Sequence, residues 1–254
     1  MVEQSFHTSL PLTLEVSIPS GDIDVETVDG EETSLVVDGD ERMLEHVEIH
    51  HDGNRVAVTL RDKNRLGFSF SLGSLVFGNE GLRVQAQVPH GAAVKVKTAS
   101  ADTEITGHLQ ALEINSVSGD VRLRGEVAED AKVKTVSGDV ELERVDGDAS
   151  VQTVSGDLRA RAVAGSVDAR SVSGDIRLDR LTAGDVRFNS VSGDIELGIA
   201  QGSFLDVDAG STSGDLASEV PLASEPPAGE GADSPTVVLR GRTVSGDVRV
   251  FRAS

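Results

Sequence analysis

The 254-residue sequence contains no cysteine, tryptophan or tyrosine, and aromatic residues make up only 3% of it. The absence of cysteine excludes disulfides, thiolate catalysis and cysteine-based zinc or iron–sulfur sites, although it does not decide the cellular compartment. Because large aromatic side chains are scarce, a hydrophobic core must be built from many Val, Leu, Ile and Ala side chains. Such a composition suits narrow, repeated structural units.

Basic residues are also few: 23 Lys and Arg stand against 43 Asp and Glu, giving a formal net charge of −20. Binding to nucleic acid or to an anionic membrane requires a basic surface, so this charge argues against both. No apolar run approaches the ~18 residues of a membrane span. The N-terminus carries Glu3 where a signal peptide would carry positive charge, so the sequence as written predicts a cytoplasmic protein. Association with the cell envelope stays open as an alternative.

The dominant feature of the sequence is the repeated tripeptide Ser-Gly-Asp. After residue 100 it occurs seven times, beginning at Ser118, Ser137, Ser155, Ser173, Ser192, Ser213 and Ser245. A short, nearly fixed period of 18 or 19 residues over the first five copies is typical of stacked supersecondary units. Apolar residues alternate on both sides of each turn, and a second glycine turn follows nine or ten residues after most copies. We therefore predict an all-β fold, a parallel β-solenoid (β-helix) of ~18-residue rungs with an N-terminal β cap region.

Equivalent positions of a solenoid stack about 4.8 Å apart, so each column of the repeat becomes a ladder of similar residues. The hydroxyl column two residues before each Ser, for example Thr135 and Thr153, is expected to point inward and to form hydrogen bonds between rungs. Five residues before each Ser, charges largely alternate in sequence order, as in Arg187, Asp208 and Arg240. Alternating charges on neighbouring strands stabilise the register, which favours a structural role for these carboxylates over a catalytic one.

The Asp of the tripeptide does not alternate in charge. It predicts a ladder of like charges made of Asp120, Asp139, Asp157, Asp175, Asp194 and Asp215. The simplest interpretation is that these carboxylates accept hydrogen bonds from backbone N–H groups in the turns. The alternative is a row of Ca²⁺ ions, as in nonapeptide β-rolls, although the glycine-rich ligand pattern of those proteins is missing. Apart from this calcium alternative, we expect no cofactor.

The residue directly before each Ser is a valine in most repeats. Strict alternation would expose the column Val117, Val136, Val154, Val172 and Val191 as an apolar stripe for a partner. A corner in the chain would instead turn these side chains inward. Turning inward is the simpler interpretation, and the stripe is the candidate contact surface.

Two segments interrupt the repeat. Residues 1–91 form an N-terminal region with first rungs and a hairpin between about 41 and 63, and residues 92–254 form the repeat region. The apolar segment 64–80 carries Phe68, Phe70 and Phe77, which suit either a partner contact or a cover for the core. Residues 218–235 are rich in Pro, Gly and acid, so they predict a flexible insertion between the last two rungs.

Sequence signals for an enzyme are weak, because no nucleophile elbow, Ser-His-Asp pattern or phosphate-binding loop is present. The serial Thr/Ser-Val-Ser-Gly-Asp-Val/Ile units, as in 135–142 and 190–197, resemble a bacterial family of β-strand-repeat domains of unknown function that is labelled as adhesins. The resemblance implies a β-solenoid with an adhesive or envelope-related role. We therefore predict a non-enzymatic binding or assembly scaffold whose partner is a protein, a cell-envelope polymer or a second copy. A calcium-binding β-roll and a carbohydrate-active β-helix enzyme are the alternatives.

Overall fold

The computed structural model describes residues 1–60, 81–220 and 235–253. Its N-terminal elements are β1 (Val2–His7), β2 (Thr13–Val28), β3 (Glu32–Asp38), α1 (Glu41–Leu44), β4 (Val47–Asp52), β5 (Arg55–Leu60) and β6 (Leu82–Pro89). The repeat region begins with β7 (Ala92–Asn115), β8 (Val121–Val127), β9 (Ala131–Lys134), β10 (Val140–Val145), β11 (Ala149–Gln152), β12 (Leu158–Val163), β13 (Val167–Arg170) and β14 (Ile176–Leu181). It ends with β15 (Gly184–Ser192), β16 (Ile195–Ile199), β17 (Phe204–Ser211), β18 (Leu216–Ser218), β19 (Thr236–Ser245) and β20 (Val248–Arg252).

The repeats form two parallel walls that face each other across one core. One wall contains β9, β11, β13 and β15, and the other contains β8, β10, β12, β14 and β16. Neighbours differ by one repeat, so Val140 lies beside Leu158 and Leu158 lies beside Ile176. Every second residue of these strands is buried, as the period-two pattern requires. The predicted parallel β-solenoid is confirmed.

The glycine of each Ser-Gly-Asp turn is required for two independent reasons. Gly156 has a φ of +139°, a conformation that side chains disfavour. A Cβ atom on Gly156 would also lie 2.2 Å from the carbonyl oxygen of Gly138 in the preceding rung. The turn therefore needs glycine both to bend and to stack closely.

The hydroxyl column points inward, as expected, but most of its hydrogen bonds stay within one rung. Thr135 Oγ1 donates to the carbonyl oxygen of Ser137 at 3.1 Å, and Ser116 Oγ donates to that of Ser118 at 2.9 Å. Ser211, which donates to Gly246 O at 3.0 Å, does bridge two rungs. The expectation of a general inter-rung hydroxyl ladder was therefore wrong, because most of the bonded hydroxyls reach the carbonyl of their own turn. Thr98, Thr153 and Ser171 have no hydrogen-bond partner among the described residues.

At the N-terminal end the first rung is covered by strands that come later in the sequence. β2 pairs in parallel with β7 on one edge and with β5 and β6 on the other. β4 and β3 then add antiparallel to β5 and β6, and β1 adds antiparallel to β3. The hairpin expected in this region is β4–β5, whereas the four-residue helix α1 was not predicted.

At the C-terminal end the order of the rungs in space differs from their order in sequence. β19 pairs with β15 on one side and with β17 on the other, and β20 likewise lies between β16 and β18. Arg187 is consequently beside Arg240, and Arg240 is beside Asp208, so the alternation expected from sequence order does not hold here. The final strand, β20, is therefore internal to the sheet.

Side chains explain which rung lies outside. Val250 of β20 is fully buried in a core column, whereas the matching residue of β18 is Ser218 and is exposed. In the neighbouring column Val248 is buried and Leu216 is 45% exposed. Placing the more apolar rung between two others buries both of its edges, which the hydrophobic effect favours.

Candidate binding surface

The turn aspartates form one continuous ladder of hydrogen bonds between rungs. The backbone N–H of Asp157 donates to Oδ1 of Asp139 at 2.9 Å, and the N–H of Asp175 donates to Oδ1 of Asp157 at 2.8 Å. The same bond links successive members over the whole row Asp102, Asp120, Asp139, Asp157, Asp175, Asp194, Asp247 and Asp215. Each carboxylate therefore satisfies a backbone donor of the next rung, which offsets the repulsion between neighbouring charges.

This bonding leaves the ladder poorly suited to calcium. Ca²⁺ needs six to eight oxygen ligands converging on one point. Here Oδ1 of each interior member already accepts an N–H. Across residues 1–60, 81–220 and 235–253, no group of three or more His, Asp or Glu side chains is arranged to hold a metal ion.

The valines that precede the tripeptide point outward. Six of them lie consecutively along the corner and are each 45–52% exposed: Val117, Val136, Val154, Val172, Val191 and Val244. We call this row the valine stripe. The N–H of Ser155 donates to Val136 O at 2.8 Å, and the N–H of Ser173 donates to Val154 O at the same distance, which keeps the row in register. The simpler interpretation, in which a corner turns these valines inward, was wrong because the chain bends only after them, at the glycine.

A column of amides and cations borders the valine stripe on one side. It lies two residues before the valines and consists of Asn115, Lys134, Gln152, Arg170, Asn189 and Arg242, which are neighbours in the parallel register. We call it the cationic column. It contains no acidic residue in a chain of net charge −20. Within the described ranges, Lys134 and Arg242 form no ion pair, whereas Arg170 is paired with Asp168 at 2.9 Å.

The aspartate ladder borders the other side of the valine stripe, because Asp lies three residues after each valine across the exposed Ser. The corner therefore presents three parallel rows, namely a cationic row, an apolar row and an acidic row. The sequence indicated the apolar and acidic rows. The cationic column was overlooked, although its signal is present as a Lys or Arg in every second repeat.

The flat walls carry ion pairs that hold the rungs in register. Arg177 lies 2.6 Å from Asp179 and 2.5 Å from Glu196 of the next rung, and Arg159 lies 3.0 Å from Asp179. Burial by itself would raise the pKa of Asp179, but the hydrogen bonds from Arg177 and Arg159 outweigh it and hold the pKa below its usual value. These charges satisfy one another and are not poised for chemistry.

A shallow depression of about 510 Å³ near the N-terminal end has an acidic lining that includes Glu3, Asp24, Glu26 and Glu104. Burial raises the pKa of Asp24; Arg83 lowers it, and the charges of Asp22 and Glu104 raise it again. The raised pKa therefore reflects burial first and nearby like charges second. No residue pair here is placed as nucleophile and base.

One Thr-His-Asp arrangement occurs, and its geometry is structural. Thr27 Oγ1 lies 2.6 Å from Nδ1 of His90, whose Nε2 lies 3.6 Å from Asp29. However, Thr27 is only 6% exposed, and its oxygen accepts the backbone N–H of His108 at 2.8 Å. A nucleophile must reach its substrate, so this group ties two turns together and does not form a catalytic triad.

The remaining predicted contact residues lie outside the described residues. They are Phe68, Phe70 and Phe77, together with the segment 64–80 and most of the insertion 218–235. None of the helices in the described parts is long and apolar enough to cross a membrane.

Comparisons with known proteins agree with this architecture. A protein of Bacteroides fragilis NCTC 9343 described as a putative adhesin is 16% identical, with a TM-score of 0.54 over 98% of this chain and 96% of that chain. Two proteins of Parabacteroides distasonis ATCC 8503 are each 13% identical over the same shares. One is described as a putative adhesin, with a TM-score of 0.56, and the other as a putative lipid binding protein, with a TM-score of 0.54.

At these identities the likeness shows the fold alone, and no curated protein matches the sequence. The sequence profile of the family described as Toastrack DUF4097, in contrast, matches residues 12–251, which is nearly the whole chain. The chain therefore belongs to the Toastrack DUF4097 family.

Proposed function

We propose that this protein is a non-enzymatic, adhesin-like scaffold that acts by contact through the corner that carries the valine stripe. The observation that carries the proposal is the exposure of six consecutive valines, each about half exposed, on a regular ladder of parallel bridges between rungs. Monomeric proteins rarely expose a contiguous apolar row of this kind without a partner.

The chemistry of the remaining groups supports contact rather than catalysis. Oδ1 of each interior turn carboxylate accepts a backbone N–H, and the Thr27 hydroxyl is buried and bonded. The structurally similar proteins described as adhesins support an envelope-related role, and we propose association with the cell envelope on that basis. The calcium-binding and carbohydrate-active alternatives have no matching ligand or catalytic geometry among the described residues.

The N-terminal boundary at residue 91 is part of this proposal. β2 pairs directly with β7, so the described parts of residues 1–91 share one sheet and one core with the described parts of the repeat region. We propose that the N-terminal region serves as a cap that closes one end of the scaffold. The binding corner then belongs to the repeat region alone.

Co-sedimentation with purified peptidoglycan sacculi, and separately with phosphatidylcholine vesicles, tests the proposed function. Val154→Asp places a charge at the centre of the valine stripe, where the wild-type side chain is already 45% exposed, so folding should be retained. Ser150→Asp is the matched control, because it adds the same charge on β11 four residues away and outside the stripe. Circular dichroism melting checks that both variants are folded.

We expect the wild type and Ser150→Asp to sediment with one of the two materials and Val154→Asp to lose at least fivefold in bound fraction. Sedimentation with sacculi supports an adhesin-like role, and sedimentation with vesicles alone shifts the function to lipid binding. If neither material binds the wild type, or if Val154→Asp binds as well as wild type, the envelope role assigned to this corner is wrong.

A further inference from the structure

The order of the three rows at the corner determines what fits against them. Moving around the corner, the cationic column comes first, the valine stripe second and the aspartate ladder third, at every rung from Asn115–Asp120 to Arg242–Asp247. Successive outward residues of a strand are about 6.6 Å apart, so the cationic column lies within a side chain's reach of the stripe. The aspartate ladder lies on the other side of the stripe, three residues further along the chain and across the Gly turn. A partner must therefore offer an apolar row with an acidic row on one side and a basic row on the other.

A second copy of this chain offers that surface. If two solenoids meet at their valine stripes with a two-fold axis parallel to the stripe, the cationic column of each copy faces the aspartate ladder of the other. If the two-fold axis is perpendicular to the stripe, aspartate faces aspartate along the whole contact, which is repulsive. Charge complementarity thus selects the parallel arrangement and rejects the antiparallel one.

The register between the rungs of the two copies also supports a second copy of the chain as the partner. In the parallel arrangement each rung faces the same rung of the other copy, so Lys134 faces Asp139, Arg170 faces Asp175 and Arg242 faces Asp247. The Oδ1 atom of each of these three aspartates accepts a backbone N–H of the neighbouring rung, and among the described residues none of the three carboxylates forms an ion pair. Because both copies repeat at the same spacing, this register holds along the full stripe: a cation faces an aspartate at three rungs, and the amides of Asn115, Gln152 and Asn189 face aspartates at the other three, as the two-fold symmetry of an isologous interface requires.

We infer that the valine stripe is the interface of a parallel, in-register homodimer, an inference that rests on the proposed role of this corner as a contact surface. Six valines in steps of about 4.8 Å give a stripe about 24 Å long, and a width of about 16 Å includes both charged rows. The strip covers roughly 400 Å² per copy, or about 800 Å² in total, below the ~1,200 Å² of standard stable interfaces. The dimer is therefore weak and forms in a concentration-dependent manner.

Sedimentation equilibrium of the full chain at 0.15 M salt tests the dimer. At this ionic strength the Debye length is about 8 Å, so the net charge of −20 is largely screened. Lys134→Glu and Lys132→Glu form a matched pair, since both change the same charge on β9, but only Lys134 belongs to the cationic column. We expect Lys134→Glu to raise the dimer dissociation constant at least tenfold and Lys132→Glu to change it less than threefold.

Two further variants test the apolar row and the direction of pairing. Val154→Asp should abolish the dimer over the accessible concentration range, whereas Ser150→Asp should not. Because the chain has no cysteine, Val117→Cys introduces a single thiol. In the parallel dimer this thiol faces its own counterpart and forms an intermolecular disulfide under mild oxidation, whereas in the antiparallel arrangement the two thiols are about 24 Å apart.

A chain that stays monomeric at all concentrations overturns the inference, as does a dimer that is insensitive to both Val154→Asp and Lys134→Glu. A dimer in which Val117→Cys does not cross-link while a mixture of Val117→Cys and Val244→Cys does would establish antiparallel pairing and also overturn it. The dimer measurements are made without sacculi or vesicles. Loss of sacculus binding with an intact dimer therefore refutes only the proposed function, and a monomer that binds sacculi refutes only the dimer.

Discussion

The aspartate ladder predicts a clear difference between two substitutions at Asp157. Its Oδ1 accepts the N–H of Asp175 at 2.8 Å, while its own N–H donates to Asp139. Asp157→Asn removes the charge but keeps an oxygen acceptor, whereas Asp157→Ala removes both. Because both variants are neutral, the relief of charge repulsion is the same in each, and their difference measures the hydrogen bond alone.

The magnitudes follow from the geometry. Charges 4.8 Å apart in a water-like dielectric repel by about 0.9 kcal/mol, so neutralising Asp157 between two neighbours relieves about 2 kcal/mol in that dielectric, before screening by salt. A neutral hydrogen bond contributes about 0.5–1.5 kcal/mol. We expect Asp157→Asn to be as stable as wild type or more stable. Asp157→Ala should unfold about 1 kcal/mol more easily than Asp157→Asn, a difference of roughly 2–4 °C in Tm for a chain of this length.

Thermal and urea unfolding of the two variants, followed by circular dichroism, measure this difference. The matched controls are Asp206→Asn and Asp206→Ala on the exposed side of β17, where the described residues provide no hydrogen bond to the carboxylate. The two control variants should have the same Tm. Equal stability of Asp157→Asn and Asp157→Ala would refute the structural role of the ladder hydrogen bond, and a less stable Asn variant would refute it as well.

Four other predictions follow from the same structure. Gly156→Ala should destabilise the fold by about 2–5 kcal/mol in urea unfolding, because it combines a strained backbone with overpacking. At the control position Gly210 an added Cβ would have no heavy atom within 4 Å, so Gly210→Ala should change the free energy of unfolding by less than about 0.5 kcal/mol. The stability advantage of wild type over Asp179→Asn should be present at pH 7 and should decline as the pH falls below about 4 and through the lowered pKa, since the unfolded chain takes up the proton first. Excess chelator or millimolar Ca²⁺ should leave the Tm unchanged; a rise with Ca²⁺ would make the ladder a metal site. In hydrogen exchange, β20 should be more protected than β18, although β20 lies at the end of the sequence.

Much of the repeat could be predicted from sequence because local pattern and tertiary contact coincide in a solenoid. A residue such as Val140 has its own counterparts, Val121 and Leu158, as neighbours, so one column of the sequence already describes one row of the core. The roles of the glycine and aspartate of the turn could be predicted by the same argument from columns. Their partners in the structure are the equivalent residues of adjacent rungs.

The exchange of rungs at the two ends could not be predicted in this way. Each local pattern says that β17–β18 and β19–β20 are rungs, but it does not say which rung lies outside. β18 ends at Ser218 and β19 begins at Thr236. The entropic cost of closing a connection grows slowly with its length, so that cost does not select one order of rungs over the other. The deciding signal was Ser218, a polar residue in a column that elsewhere holds residues such as Leu178 and Val250.

The outward orientation of the valines required the geometry of the corner as well as the period of the strand. Period-two alternation placed Val136 outside, while proximity to the turn suggested an inward bend. The structure bends at Gly138, two residues later, so the alternation still applies at Val136. A one-residue difference in where a chain turns thus decides whether a whole row is core or contact surface.

The repetition that places like charges side by side in the aspartate ladder is also the basis of the contact that we propose for this corner. A single half-exposed valine beside one lysine would contribute little to association, because exposed ion pairs contribute about 0–1 kcal/mol. Six valines, flanked by a cation at three of the six rungs, are held at a fixed spacing and act together, so that once the first is engaged the others bind at high effective concentration. The glycine and aspartate of each turn keep that spacing constant by stacking on their equivalents. The same residues that specify the fold therefore also set the register in which a partner of equal period binds, which is why a second copy of the chain fits this corner.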